Sequence, residues 1–222
     1  MIKAAVILCG SGSMDGSEIH ESTFALLALD ELDVQYQCFA PDLKQSRVMN
    51  FLIGQLEAVE ERNQLKEAAR IARGKIKNIE ELNTQDFDIL VLPGGYGAAF
   101  NLCNFATKGS QAEVLPRLSQ IIQEFSLAQK PIGAICIAPS LVALSLKGLA
   151  QNLTLTAGNK DDQAGLEMEK LNCTVIPCLP EDCIVDIKNK VASTPAYMNA
   201  KRISEVHSGI KKMIVELVKM VK

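Results

Sequence analysis

Short apolar runs alternate with amphipathic stretches along this chain, and that alternation predicts a parallel sheet flanked by helices. Ala4–Leu8 is uninterrupted in its apolar character, as expected of a strand buried on both faces. A Gly/Ser/Asp loop follows, and Ile19–Leu32 then shows helical periodicity. Val34–Phe39 predicts the next strand, closed by Ala40-Pro41-Asp42. The charges and alanines of Glu57–Arg73 predict a solvated helix that stops at Gly74. Asp88–Leu92 predicts a third buried strand, ended by Pro93-Gly94-Gly95, and Val114–Ala128 an amphipathic helix. Pro131–Ile135 is a fourth strand, Ala138–Leu146 a short helix and Asp161–Leu171 another. Cys183–Ile187 and Lys190–Ser193, joined by Lys188-Asn189, predict an antiparallel hairpin. Lys201–Val221 is a long terminal helix with Ile203, Val206, Ile210, Ile214, Leu217 and Val221 along one face. No repeat, low-complexity tract or linker interrupts the pattern. Residues 1–222 are therefore expected to form one α/β domain.

Composition narrows the partners. Lys+Arg is 23 against Asp+Glu 26, a net charge of −3, whereas a nucleic-acid binder needs a basic stripe. Trp is absent and aromatics make up 5%, which weakens any base-stacking platform as well. Ala4–Cys9 is too short to span a bilayer and runs into Gly10-Ser11-Gly12, so neither a leader nor a membrane anchor is expected. The seven cysteines are odd in number and scattered through apolar segments. That usage predicts a cytoplasmic protein with reduced thiols, and the question becomes whether one of them is special.

The segment Pro131-Ile-Gly-Ala-Ile-Cys136-Ile-Ala-Pro-Ser140 answers it. A buried strand reaches Cys136, and a helix begins within three residues, with Pro139 suited to its first turn. Ala134 and Ala138 flank the cysteine at two places either side, as a tight strand-to-helix elbow requires. Such an elbow sets the sulfur at the top of the sheet beside free backbone N–H groups. The expectation is a thiolate with a lowered pKa that alkylates faster than the other thiols. The competing reading is a packing cysteine, the usual fate of a free thiol. Cys173, Cys178 and Cys183 recur every five residues, but without a His or a Cys-x-x-Cys pair they do not make a zinc site.

Two glycine-rich loops lie near the strand ends. In Leu92-Pro-Gly-Gly-Tyr-Gly-Ala-Ala99 the N–H of Gly94 or Gly95 can face a developing oxyanion, although Pro-Gly-Gly is also ordinary turn chemistry. Neither this loop nor Gly10–Gly16 fits a dinucleotide fingerprint or a P-loop, so nucleotide cofactors are not expected. Asp15-Gly-Ser-Glu18-Ile-His20-Glu21 lies between the first strand and first helix. Ser17 with acids behind it reads as a helix start. Alternatively, one glutamate points across the sheet top toward Cys136, where ligands of parallel sheets bind. His20 is a candidate acid or base, with a solvated histidine as the alternative. His207 is assigned to the surface.

Together with the late Ser193-Thr-Pro-Ala-Tyr-Met198, these pieces resemble the ThiJ/PfpI branch of the class I glutamine amidotransferase-like superfamily. Asp15–Glu21, Phe39-Ala-Pro-Asp42, Ala69-Arg-Ile-Ala-Arg-Gly74, Gly97-Ala-Ala99 with Asn101-Leu102, and Cys136-Ile-Ala-Pro139 resemble its ElbB subgroup. That subgroup is named for enhanced lycopene biosynthesis, or for isoprenoid biosynthesis with an amidotransferase-like domain. The resemblance implies a flavodoxin-like sandwich, a homodimer and a cofactor-free glyoxalase activity, with deglycation of protein as a related role. It implies Cys136 as nucleophile, Glu21 as the carboxyl group bonded to the thiol, and Gly95 and Ile137 as backbone oxyanion donors. Four departures stand out. Ile137 replaces the His that follows the cysteine in many relatives, and His207-Ser-Gly is not the His-x-Glu of glutamine hydrolysis, so amidotransfer is not expected. Phe100 and Ser11 stand where the subgroup usually has Lys and Cys.

The leading expectation is therefore a cofactor-independent glyoxalase-type enzyme acting on small α-oxoaldehydes, or on glycated protein. Catalytic Cys136 and Glu21 or His20 would work with the N–H groups of Gly94, Gly95 and Ile137, without metal. A redox-sensing thiol or a scaffold dimer is the rival.

Overall fold

The computed structural model describes every residue except Lys160 and Lys222. In chain order its strands and helices begin with β1 (Lys3–Ile7), α1 (Ile19–Glu31), β2 (Gln35–Ala40), β3 (Met49–Asn50), β4 (Gln55–Leu56), α2 (Gln64–Ile71) and β5 (Ile76–Asn78). There follow β6 (Ile89–Leu92), α3 (Tyr96–Phe100), α4 (Phe105–Lys108), α5 (Pro116–Leu127), β7 (Ile132–Ile135) and α6 (Pro139–Ser145). The chain finishes with β8 (Leu153–Leu155), α7 (Gln163–Glu169), β9 (Cys173–Val175), β10 (Ile184–Asp186), β11 (Val191–Thr194) and α8 (Ile203–Val221).

A seven-stranded sheet in the order β10-β11-β7-β6-β1-β2-β5 organises these elements. Every neighbouring pair is parallel except β10–β11, the expected hairpin. The apolar pattern anticipated a parallel sheet flanked by helices, and the family resemblance its flavodoxin-like arrangement. Its central strands are apolar throughout because both faces are covered: β6 and β7 are buried at every residue. Against the sheet, α8 packs on α1 and on β7 and β11, and α5 lies against β6 and β7. The approach of α8 depends on Gly133, because a Cβ there would lie 2.5 Å from Leu217 Cδ1. The buried face of α8 includes Val206, Ile210, Ile214 and Leu217 as expected, whereas Ile203 is exposed.

The topology places the site. From β1 the chain moves outward through β2 to β5, then crosses back to β6 on the other side of β1. Connections leaving β1 and β6 diverge there and open a crevice at the carboxyl ends of the strands. The Gly10–Glu18 loop, Pro93–Gly95 and Cys136 all follow strands that end at this edge.

Three expectations change. The helix drawn over Glu57–Arg73 is only Gln64–Ile71, because Asn63 caps it by accepting from the Lys66 N–H at 3.0 Å. Residues 57–63 form no helix and follow a short ribbon in which β3 and β4 pair Met49 with Leu56. Ser17 is not the helix cap. Its Oγ accepts from the Cys9 N–H at 2.9 Å, and Glu18 caps α1 through its bond from the Glu21 N–H. His207 is half-buried, with its ring 5.1 Å from that of Phe24, rather than lying free on the surface.

Candidate active site

Cys136 occupies the elbow between β7 and α6 with φ +62°, a left-handed conformation unusual for a residue with a side chain. Its N–H donates to the Thr194 carbonyl at 2.9 Å, tying the turn to β11. Ala138 caps α6 and Pro139 begins it, while Ser140 Oγ donates to the Ile137 carbonyl at 2.7 Å. The predicted elbow is therefore present, and the sulfur lies at the wall of a cavity of about 830 Å³.

Glu21 lies beside it, fully buried in the first turn of α1. One carboxyl oxygen accepts from the Gly94 N–H at 3.1 Å, the other from the Tyr197 N–H at 3.4 Å. Gly94 must be glycine here. A Cβ would come within 2.5 Å of Cys136 Cβ and 2.7 Å of Glu21 Oε2. Gly95 adopts φ +94°, and a Cβ there would lie 2.5 Å from both Glu18 N and Gly16 O. The late Pro195-Ala-Tyr197 segment thus joins the site through Tyr197, as the glycine loop does through Gly94.

Burial, then the charge of neighbouring Glu18, pushes the Glu21 carboxyl up to about 8, against the smaller opposing pull of its bonds to Cys136, Tyr197 and Gly94. Burial and the Glu21 charge raise the Cys136 thiol well above its ordinary value of 9.0. The N–H groups of Gly95 and Ile137 pull in the opposite direction without prevailing. The expectation of a lowered thiol pKa is thereby overturned. The backbone donors are where the elbow should put them, but desolvation and a carboxylate outweigh them.

The other expected residues divide. Gly95 and Ile137 line the cavity with Cys136, whereas the Gly94 N–H is already taken by Glu21. His20 is exposed and does not line the cavity. Its Nδ1 lies 2.7 Å from the Tyr197 hydroxyl, and Tyr197 does line it. Glu18, buried and capping α1 with one oxygen, lines the cavity as well. Of the two glutamates, Glu21 is the one beside the thiol.

Arg47 was not singled out by the sequence. It comes from the loop after β2, and its guanidinium carbon lies 3.8 Å from the centroid of the Phe100 ring at the cavity wall. Among the described residues no cluster of three His, Cys, Asp or Glu side chains is arranged to hold a metal ion. All seven cysteines are free, and none of the described helices is long and apolar enough to cross a membrane.

A parallel sheet with a cysteine elbow, a buried carboxyl group and a glycine turn at its carboxyl edge defines a class of amidotransferase-like α/β proteins. Residues 64–171 match the DJ-1/PfpI family, and the chain belongs to it. It is 36% identical to the rat ES1 protein homolog, mitochondrial, over 98% of this chain and 84% of that one. It is 37% identical to the human glutamine amidotransferase-like class 1 domain-containing protein 3, mitochondrial, over 98% of this chain and 83% of that one. The crystal structure of an isoprenoid biosynthesis protein with amidotransferase-like domain from Ehrlichia chaffeensis superposes with a TM-score of 0.93. That protein is 37% identical, with both chains fully covered.

Proposed function

We propose that the protein is a cofactor-independent glyoxalase-type enzyme that converts small α-oxoaldehydes to 2-hydroxy acids. The observation that carries this reading is Cys136, held at φ +62° on a cavity wall beside a buried carboxyl group raised to about 8. A carboxyl group titrating near neutrality can both give and take a proton at working pH.

In this mechanism Cys136 sulfur adds to the aldehyde carbon, and the carbonyl oxygen becomes the hydroxyl of a thiohemiacetal. The N–H groups of Gly95 and Ile137 stabilise the oxyanion as it forms. A base, for which Glu21 is the candidate, removes the hydrogen from the former aldehyde carbon and gives an enediol. Reprotonation at the neighbouring carbon leaves a 2-hydroxy thioester. The aldehyde carbon has been oxidised and its neighbour reduced, so no external redox partner is consumed. Water then cleaves the thioester, releasing the 2-hydroxy acid and restoring the thiol. The Glu21 carboxylate takes the thiol proton as the sulfur attacks and passes it to the forming oxyanion, which frees the carboxylate for the C–H step and lets a thiol with a raised pKa react without a standing thiolate. His20, outside the cavity, is left to position Tyr197.

Purified protein should convert methylglyoxal to lactate without glutathione, metal or nicotinamide, with product followed by NMR. Lactate formed equally well by Cys136→Ala protein would refute the reading. No lactate, together with peroxide-dependent modification of Cys136, would favour the redox-sensing rival. A homodimer is the proposed assembly, tested by sedimentation velocity. Cytoplasmic residence is proposed on the free thiols alone, since the names of the rat and human relatives place those proteins in mitochondria.

A further inference from the structure

We propose that Arg47 is the specificity-determining residue of the Cys136 cavity and that the aldehyde bound there carries an anionic group, a carboxylate or a phosphate. The proposal rests on the glyoxalase-type reading for its substrate, but its evidence lies elsewhere in the cavity.

The loop bearing Arg47 is fastened on both sides. Gln45 Nε2 donates to the Asp15 carbonyl at 2.9 Å, and Ser46 donates through N and Oγ to Asn101 Oδ1 at 2.9 and 2.8 Å. Asn101 Nδ2 reaches the same Asp15 carbonyl at 2.9 Å, so this loop and the glycine loop after β1 share one anchor. Arg47 Nε then donates to the Met14 carbonyl at 2.8 Å. Its guanidinium lies 3.8 Å from the Phe100 ring centroid and 5.7 Å from that of Tyr96. Stacking occupies the face of the group and leaves its in-plane donors available.

Those donors have no counterpart in the protein. Among the described residues no carboxylate lies within ion-pairing distance of Arg47, and its terminal nitrogens donate to no protein acceptor. By contrast, Arg62 holds Glu60 at 2.7 Å and Arg70 holds Glu67 at 2.9 Å. Asp15 exerts its charge on Arg47 without an ion-pair contact: its Oδ2 accepts from the Met49 N–H at 2.8 Å and its buried Oδ1 has no hydrogen-bond partner, while Glu18 accepts from the Glu21 N–H at 2.7 Å. The remaining acids of the cavity, Asp162 and Glu167, belong to the α7 wall, where Glu167 accepts from the Ser110 N–H and pairs with Lys170. A planar cation fixed in orientation, partly desolvated and without a carboxylate in ion-pairing contact is preorganised for a carboxylate or phosphate.

The test compares neutral methylglyoxal with two anionic 2-oxoaldehydes, 4,5-dioxopentanoate and 3-phosphooxy-2-oxopropanal, in wild-type, Arg47→Gln and Arg47→Lys protein. Wild type should prefer one anionic substrate, and that one identifies the group as carboxylate or phosphate. In Arg47→Gln the ratio of kcat/KM for that substrate to kcat/KM for methylglyoxal should fall about tenfold or more, mainly through KM. Arg47→Lys should recover part of the loss, since it restores charge without the planar fork. A ratio unchanged in Arg47→Gln overturns the proposal, as does a wild type without anionic preference. A second measurement needs no turnover: Cys136→Ala protein is titrated calorimetrically with inorganic phosphate and with glutarate at constant ionic strength. Binding that disappears in the Cys136→Ala, Arg47→Gln double variant supports the anion site even if no aldehyde is converted, in which case only the glyoxalase reading falls. Lactate production without Arg47-dependent anion binding or preference removes the anion site and leaves the glyoxalase reading standing.

Discussion

Cys9 and Cys136 follow β1 and β7, two strands separated in the sheet only by β6, and both are buried thiols. Cys9 is fully enclosed. Burial drives its pKa up to about 12, and its closest polar neighbour is Ser17 Oγ, 3.6 Å from the sulfur. Cys136 is also raised by burial, yet it stands in a left-handed turn, lines a cavity, and has a titratable carboxyl group and two backbone N–H groups for neighbours. Desolvation acts on both sulfurs in the same direction, so it cannot distinguish a packing cysteine from a reactive one. The distinction lies in what the sulfur can reach: Ser17 cannot change charge near neutrality, whereas Glu21 can.

The largest effect expected from that contrast is in Cys136→Ala, where lactate production should fall by about 10³-fold or more, to the rate of protein without a nucleophile. Cys9→Ala should stay within about twofold of wild type in kcat/KM, at a modest cost in stability. Both are read by NMR of the product. Comparable losses in the two variants would erase the distinction.

Glu21→Gln should lower kcat by about 10²- to 10⁴-fold, the range of general acid–base assistance, and Glu18→Gln by clearly less. Steady-state kinetics of the pair decide it, and the reverse order would transfer the role to Glu18. Gly94→Ala addresses the geometry between them. The added methyl would press on Cys136 and Glu21 together, so kcat should drop about 10²-fold through misplacement. Circular dichroism should show the fold retained.

A smaller effect appears in the pH dependence of stability. Glu21 moves from an ordinary 4.5 to about 8 in the folded chain, so between those values the folded state holds a proton that the unfolded state has released. Its contribution is complete below the ordinary carboxyl range and is lost as pH rises through about 8. Urea unfolding should therefore show Glu21→Gln gaining on wild type as pH rises from about 5 to about 9, by about 1 kcal/mol or more. A constant difference would mean that the carboxyl is not raised. Gly133→Ala, on the α8 side of the sheet, should destabilise by about 1–3 kcal/mol through overpacking against Leu217 and leave kcat near wild type. Thermal unfolding and kinetics together test that separation of scaffold from site.

The central strands were legible because their residues are apolar on both faces, and the Cys136 elbow because small residues, cysteine and proline fall at fixed spacings. The strands β5, β8 and β9 were not, since Ile76-Lys77-Asn78, Leu153-Thr154-Leu155 and Cys173-Thr174-Val175 are three residues long and carry polar centres. The composition of Glu57–Arg73 favours a helix throughout, whereas the helix begins only after the cap residue Asn63. Arg47 had no local signal at all. Its surroundings come from Met14, Phe100 and Asn101, and only the fold brings those segments together. The sign of the Cys136 shift was hidden for the same reason, because burial and the Glu21 charge are tertiary quantities.

The margins of the sheet have a consequence for the crowded life of the protein. β5 and β10 are each three residues long, with Lys77 in the middle of one and Asp186 at the end of the other. Asp186 is itself occupied, accepting from the Thr154 and Asn189 backbones at 2.8 and 3.0 Å. A foreign strand meets a three-residue template with Lys77 at its centre on the β5 side, and on the β10 side a margin that Asp186 ties to the Thr154 backbone of β8. Margins this short and this covered disfavour strand-by-strand growth of the sheet that supports Cys136.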